Sequence, residues 1–440
     1  MTRSVNHSWR RLIALGAVVA LGTLPGAAWA SSETDALISK LVEKKILTAE
    51  EAQDVRNEMA KDAGTIAKAR EADTKDTASK MAGGSWLNTV KWSGDFRLRH
   101  ETQLRDPSVT RHRERMRLRV GFKANPWDPL EIGVQLGTGA SGDPISNNQS
   151  FANTFDKKAI FLDKAYAKYT PWPWAILTGG KMENPFQTTD IAWDPDTTPE
   201  GAVLQLKSPQ AIPGLDQFLA MRPFATAGIF GLNEINASKA DPAMYGAQGG
   251  ADIDLPWGWT FQPSVAYYDY ANIKGQTVTN VTSASAGAAG NTTTSGGAFS
   301  YDYNILDVLG RLNLPSVLGQ PVTIVGDWVS NTAHSSSLTD GKIDNNGAWQ
   351  AGLEVGKVTE KLGSWKATYY FKRLESNATF GPLTDSDFGG GGTNHFGHIM
   401  GVQMGLNKWA SVALKYYRAD EIIGTQNRNN TVQADMNMKF

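Results

Sequence analysis

The sequence predicts an all-β protein: an antiparallel transmembrane β-barrel of about sixteen strands, with a short helical segment ahead of it. Three observations carry this. In Lys91–Lys123 the arginines Arg97, Arg99, Arg105, Arg111, Arg113, Arg115, Arg117 and Arg119 all fall on odd positions. Trp92, Phe96, Leu98, Leu104, Met116, Leu118, Val120 and Phe122 fall on even ones. Successive side chains of a strand point to opposite faces, so one face of this hairpin is guanidinium and the other apolar. A soluble sheet turns its apolar face to a core; a transmembrane barrel turns it to lipid and its charged face to a wet lumen. The second observation is tryptophan at one short turn after another. The third is that long connections alternate with short ones. A β-sandwich would also alternate along its strands, but it explains neither of the last two.

Composition sets bounds. The chain has 440 residues, no cysteine, and a net charge of −1. Thiol catalysis, disulfides and cysteine-based metal sites are excluded. The near balance of charge argues against nucleic acid as a partner, because binding phosphates calls for a strongly basic surface. Beyond the N-terminus no run approaches the ~18 apolar residues of a spanning helix.

Residues 1–30 read as a signal peptide. Arg3, Arg10 and Arg11 form the basic region, Leu12–Leu21 the apolar one, and Ala28-Trp29-Ala30 the small-residue cleavage site. Cleavage there leaves 40 basic side chains against 44 acidic ones, a net −4, and places the mature chain beyond the inner membrane. Residues 31–82 read as a periplasmic helical, coiled-coil-like segment. Leu37, Ile38, Leu41 and Val42 share a helical face. Thr48 with Glu51 makes a capping box that opens a second helix through Ala52, Val55 and Met59. The segment reads as an oligomerisation or tethering element or as a loosely ordered leader. Gly83-Gly84 is the hinge to the barrel, residues 86–440.

Seven short turns follow: Asn125–Pro129, Pro171–Trp174, Ser208–Asp216, Leu255–Trp259, Leu314–Pro321, Glu360–Trp365 and Asn407–Trp409. Five of them hold Trp, as an interfacial aromatic girdle requires, since indole has a wet end and an apolar body. The eight connections between are Asp106–Thr110, Ser141–Lys158, Gln187–Pro199, Asn236–Asp241, Asn272–Ser300, Asn331–Asn346, Gly381–Asn394 and Gly424–Asn430. Fifteen connections make sixteen strands. Trp259–Tyr268, Trp349–Val355 and the last strand alternate cleanly, whereas Phe218–Leu232 does not.

The final Phe440 closes an alternating strand and resembles the C-terminal signature by which outer-membrane barrels are recognised for assembly. Gly180-Lys181, Asn184-Pro185-Phe186, Trp193-Asp194-Pro195-Asp196 and Pro199-Glu200-Gly201 resemble the putative porin family of Gram-negative bacteria. So do the signal, the helical leader and the sixteen strands. The resemblance implies a passive channel in the outer membrane, surrounded by its lipid; it does not name a solute, and small hydrophilic or anionic solutes are expected from the charged residues themselves. It also implies a homotrimer and contact between the C-terminal strand and the barrel assembly machinery. No cofactor is implied.

In this frame the odd-position arginines, with Lys164, Lys168 and Lys181 from the next strands, form a basic wall lining the pore. A turn centred near Ser108 would set Arg105 opposite Arg111, Arg99 opposite Arg117 and Arg97 opposite Arg119, stacking like charges that need screening. Arginine suits a lumen that meets carboxylate or phosphate, because it stays charged and offers paired donors. Loops at the place of Gln187–Pro199 often fold into porin lumens. Its acids Asp190, Asp194 and Asp196, with Glu200 just beyond, would then stand opposite the basic wall and set up a transverse field. The bland reading leaves them as solvated turn residues, and the wall as a salt network fixing the seam of the barrel. The wall favours anions and the acid-rich loops favour cations, which leaves a weak anion preference. The alternative function is a membrane anchor whose helical leader binds a periplasmic partner. Catalysis is not expected: His100 and His112 share the outward parity. His395 and His398 lack further metal ligands, and Asp194-Pro195-Asp196 lacks a calcium-loop pattern. Residues 31–81 are too small and polar for a transporter plug.

Overall fold

The computed structural model describes residues 85–140, 142–212, 219–236, 240–282, 287–333, 345–425 and 427–440, together with scattered positions between 40 and 57. Residues 1–30, read as a signal peptide, Gly83-Gly84, read as a hinge, and Leu37, Ile38, Leu41, Glu51, Val55 and Met59 lie outside the described residues. Ala49, Glu50 and Ala52–Asp54 are helical, and the Ala52 N–H donates to the Thr48 carbonyl at 3.0 Å.

The barrel is built from β1 (Lys91–Arg105), β2 (Arg111–Trp127), β3 (Leu130–Thr138), the two-residue β4 (Gln149–Ser150), β5 (Ile160–Trp172), β6 (Ala175–Lys181), β7 (Glu200–Lys207), β8 (Ala220–Gly231) and β9 (Ala243–Asp254). The other strands are β10 (Thr260–Ala271), β11 (Tyr303–Val317), β12 (Gln320–Asn331), β13 (Gly347–Gly356), β14 (Trp365–Leu374), β15 (His395–Gly405), β16 (Ala410–Glu421) and β17 (Arg428–Lys439). Every long strand pairs antiparallel with its neighbours in the chain, and β1 pairs with β17, so the sixteen long strands close on themselves. Closure removes the open edge that neither lipid nor water could satisfy within a membrane. The short β4 continues the β2 edge where β3 has ended, with Arg115 opposite Ser150.

Most short turns lie at one end and most long loops at the other, the exceptions being the long β7–β8 connection among the turns and the tight β1–β2 turn among the loops. The turn tryptophans Trp127, Trp172, Trp174, Trp257, Trp365 and Trp409 are exposed. Parity also holds. Outward Trp92, Leu98 and Leu104 are exposed, while inward Arg99, Glu101 and Gln103 are buried.

The pairing of β1 with β2 differs from the expected one by two residues. Arg97 faces Arg117, Arg99 faces Arg115, Glu101 faces Arg113 and Asp95 faces Arg119. The turn is centred on Pro107 rather than Ser108. A two-residue slip keeps every side chain on its face. It also sets two acids directly opposite two arginines, which relieves part of the like-charge stacking.

The weak alternation around β8 has a physical cause. Its outward residues Ala225, Ala227 and Ile229 are exposed as usual, but inward Phe230 is apolar and buried. The lumen on that side is not water. It is filled by an apolar cluster of Phe186, Ile191 and Trp193 from the β6–β7 connection, packed on Tyr268, Tyr303, Val329 and Leu374 of the wall. Phe380 and Leu383 of the β14–β15 connection join it.

Candidate functional site

The lumen is organised by the basic wall and two loops that enter it: loop 3, residues 182–199 between β6 and β7, and loop 7, residues 375–394 between β14 and β15. Loop 3 reaches the wall in several directions. The Gln187 N–H donates to Gln248 of β9 at 2.8 Å, and Arg311 of β11 donates to the Thr188 carbonyl at 2.9 Å. The Thr189 hydroxyl donates to Asp327 of β12. Asp190 pairs with the buried Lys372 of β14 at 2.9 Å. Asp196 pairs with Arg117 and Arg119 of β2 at 3.2 and 3.1 Å. Loop 3 thus spans from the basic wall to β14.

Loop 7 is tied to loop 3 and to the barrel seam. The Asp194 N–H donates to the Leu383 carbonyl at 2.7 Å, and the Asp194 carboxylate accepts the N–H of Ser386 at 2.9 Å. Lys372 pairs with Asp385 as well as Asp190, at 2.9 Å each. Asp387 pairs with Arg99 at 3.1 Å. Burial acts to raise the Asp387 carboxyl, but the Arg99 guanidinium outweighs it and holds the group at about 2. Among the described residues Asp194 makes no ion pair; burial, and then Asp385, push its carboxyl well above the usual carboxylate range. The glycines after Asp387 let loop 7 pack this tightly. Gly392 has φ +84°, and a Cβ there would lie 2.3 Å from the Ala289 carbonyl oxygen.

The basic wall is largely neutralised. Arg99 is held by Asp435 of β17 through Nε at 2.7 Å and Nη2 at 2.9 Å. Glu101 accepts from Arg113 and Arg115, and from Gln433 of β17. Asp95 sits between Arg117 and Arg119 at 2.9 and 2.7 Å. Arg97 instead donates to Asn148 of the β3–β5 connection at 2.6 Å. Among the described residues Arg97, Arg105, Arg111, Lys168 and Lys415 make no ion pair. Lys181 pairs with Glu200 at 2.9 Å, at the long-loop end of β6 and β7. Lys164 lies 3.9 Å from Glu183.

Cavities flank this constellation. One of about 660 Å³ on the long-loop side is lined by Ser146, Asp163, Lys181, Asp196 and Leu383. One of about 430 Å³ on the short-turn side is lined by Arg97, Arg117, Arg119, Lys415 and Asn437. The ion pairs of Asp196 with Arg117 and Arg119 therefore join a residue lining one cavity to residues lining the other.

The acids do not all stand opposite the basic wall, as the sequence suggested. Asp196 is on the wall itself, Asp190 is across the lumen at Lys372, Asp194 is buried between two loops, and Glu200 belongs to β7 and is exposed. The reason is that loop 3 crosses the lumen rather than lining one side, so its acids meet different partners along its length. Sequence reasoning missed Lys372, Asp385, Asp387 and Lys415, and missed loop 7 as an inward element. The signals were there: Phe380, Leu383 and Phe388 are apolar in a loop that also carries the run Gly389–Gly392. His395 and His398 sit on opposite faces of β15, His395 half-buried and inward and His398 bonded outward to Tyr369 at 2.9 Å. They cannot share a metal.

The family model described as putative porin matches residues 104–304 and 298–440. No curated protein sequence matches the chain. Among solved structures, Pseudomonas putida OprB in its high-pH form aligns with a TM-score of 0.52 at 11% identity, over 84% of this chain and 97% of that one. The likeness is one of fold. Salmonella typhi OmpF in complex with daunomycin aligns with a TM-score of 0.47 at 11% identity, over 80% of this chain and 97% of that one.

Proposed function

The chain belongs to the putative porin family, and on that premise we propose that this outer-membrane porin passes small hydrophilic solutes with a weak preference for anions. The observation that carries the reading is Asp196, held on Arg117 and Arg119 between the two cavities. A solute moving between those cavities meets paired charges of both signs across a short gap. Low-dielectric walls focus such a field, which favours polar solutes that can orient in it and rejects apolar ones.

The sign of the preference follows from the surplus. Eight arginines line the β1–β2 wall against the carboxylates of Asp95, Glu101, Asp196, Asp387 and Asp435. Arg97 and Lys415, which make no ion pair among the described residues, line the short-turn cavity and supply the excess. The neutralised arginines serve the barrel and the loops, so the preference is weak. In the same reading the N-terminal segment is periplasmic, the channel assembles as a trimer, and Phe440 addresses the chain to the barrel assembly machinery.

The test is the zero-current potential of the refolded protein in a planar bilayer under a potassium chloride gradient. A small potential of anion-selective sign is expected. A cation-selective sign overturns the preference, and a folded barrel without conductance overturns the channel in favour of an anchor.

A further inference from the structure

Behind the tip of loop 3 lies a group of buried oxygens that the channel reading does not use. Asp307 of β11 and Asp327 of β12 face the lumen and are 1% and 4% exposed. Asp327 lies opposite Leu309, two residues along from Asp307, so the two carboxylates are diagonal neighbours on one face. They interact directly with each other. Gln350 of β13 is directly opposite Asp327, and the Tyr268 ring of β10 is diagonal to Asp307 on its other side. Tyr268 and Gln350 are buried too.

These side chains carry an excess of acceptor oxygens. Beyond the contact between the two carboxyl groups, and that of the Tyr268 hydroxyl with the Trp193 N–H, one oxygen of Asp307 and the Gln350 carbonyl oxygen have no hydrogen-bond partner among the described residues. One Asp327 oxygen accepts from Thr189. Arg311 of β11 is within electrostatic reach of both carboxylates. Arg311 donates to the Thr188 carbonyl, and Lys372 pairs with Asp190 and Asp385. No ion pair reaches Asp307 or Asp327 among the described residues.

Two buried carboxylates side by side need a positive partner, because an unpaired buried charge is strongly unfavourable. A proton shared between them satisfies one contact and leaves the second Asp307 oxygen and the Gln350 carbonyl without one. A hard cation collects them all, since calcium takes carboxylate, amide and hydroxyl oxygens in a flexible shell completed by water. We propose that Asp307, Asp327, Gln350 and Tyr268 form a site for an oxygen-ligated divalent cation of calcium's kind. It fixes the wall on which Thr189 seats loop 3. The outer membrane faces the external medium, which supplies such ions.

The experiment titrates the refolded full-length protein in detergent with terbium, a luminescent stand-in for calcium, exciting the aromatic residues. Tyr268 and the adjacent Trp193 are placed to sensitise the bound ion. Saturable emission is expected, displaced by calcium, with affinity weakened about tenfold or more in Asp307→Asn and Asp327→Asn. Asp156→Asn, on an exposed loop, leaves it unchanged. Calcium also raises the melting temperature of the wild-type barrel, reversed by a chelator, which tests the site without relying on the variants. Absent emission, emission unchanged in both lumenal variants, or a melting temperature indifferent to calcium overturns the proposal.

Discussion

Arg99 and Asp435 face each other in register across the seam where β1 meets β17, and the guanidinium grips the carboxylate through two bonds of 2.7 and 2.9 Å. Both are buried, and Asp387 adds a third partner from loop 7. The first and last strands of the barrel and an inward loop thus meet on one arginine.

Arg99→Leu should therefore be costly. It leaves two carboxylates without their cation, and losing one partner of a buried pair typically costs about 3–5 kcal/mol. Urea unfolding in detergent, followed by loss of the fast-migrating folded band, checks it. An unchanged midpoint would mean that water replaces the guanidinium at no cost.

Lys372 holds loops 3 and 7 together through Asp190 and Asp385. Lys372→Met keeps most of the volume but removes the charge, so the two carboxylates repel in a buried space. Single-channel recordings should show more frequent current fluctuations than the wild type, with the barrel still folded. Quiet recordings of wild-type amplitude would assign the loop seating to the apolar cluster alone.

The Asp387–Arg99 contact has a defined pH range. The folded carboxyl is held at about 2, below its ordinary 3.8, so its contribution is complete above 3.8 and is lost as pH falls toward about 2. Current noise from loop 7 should be the same at about pH 7 and about pH 5, and rise as pH approaches about 2. Noise that rises already between the first two values would point to another group.

Gly94 and Phe440 form the other end of the seam. Each backbone N–H bonds the other's carbonyl, at 2.8 and 3.1 Å. A Cβ on Gly94 would lie 2.5 Å from the Phe440 ring and 2.7 Å from the Arg119 carbonyl oxygen. Gly94→Ala should displace the terminal ring and lower the folded fraction after refolding into vesicles, with Phe440→Ala relieving part of the defect. Equal folding yields for all three proteins would show that the ring finds another seat.

The barrel was legible because strand parity and turn chemistry are local. Arg97 to Arg119 on odd positions fixed the faces of β1 and β2 without knowledge of any partner, and the turn tryptophans marked the strand ends. The register of that hairpin was not legible, because Asp106–Thr110 admits more than one turn centre. The choice depends on which acids meet Arg113 and Arg119 across the strands. The interior was legible only in part. Loop 3 was expected inside the barrel from its place in the chain, but its contacts with Lys372, Asp327 and Arg117 are made across the lumen. Loop 7 escaped because its apolar residues look like any irregular loop until Tyr270, Tyr303 and Leu374 are seen to leave an apolar surface facing it.

In the proposed channel, solutes move between the two cavities past Asp196 and the arginines it holds. The most direct test of this path is the zero-current potential of two variants beside the wild type. Asp196→Ala should move selectivity toward anions and raise the single-channel conductance, since Arg117 and Arg119 lose a counter-charge. Arg117→Ala with Arg119→Ala should move it toward cations. If both variants keep the wild-type potential and conductance, the path lies elsewhere in the barrel and these ion pairs only hold the fold.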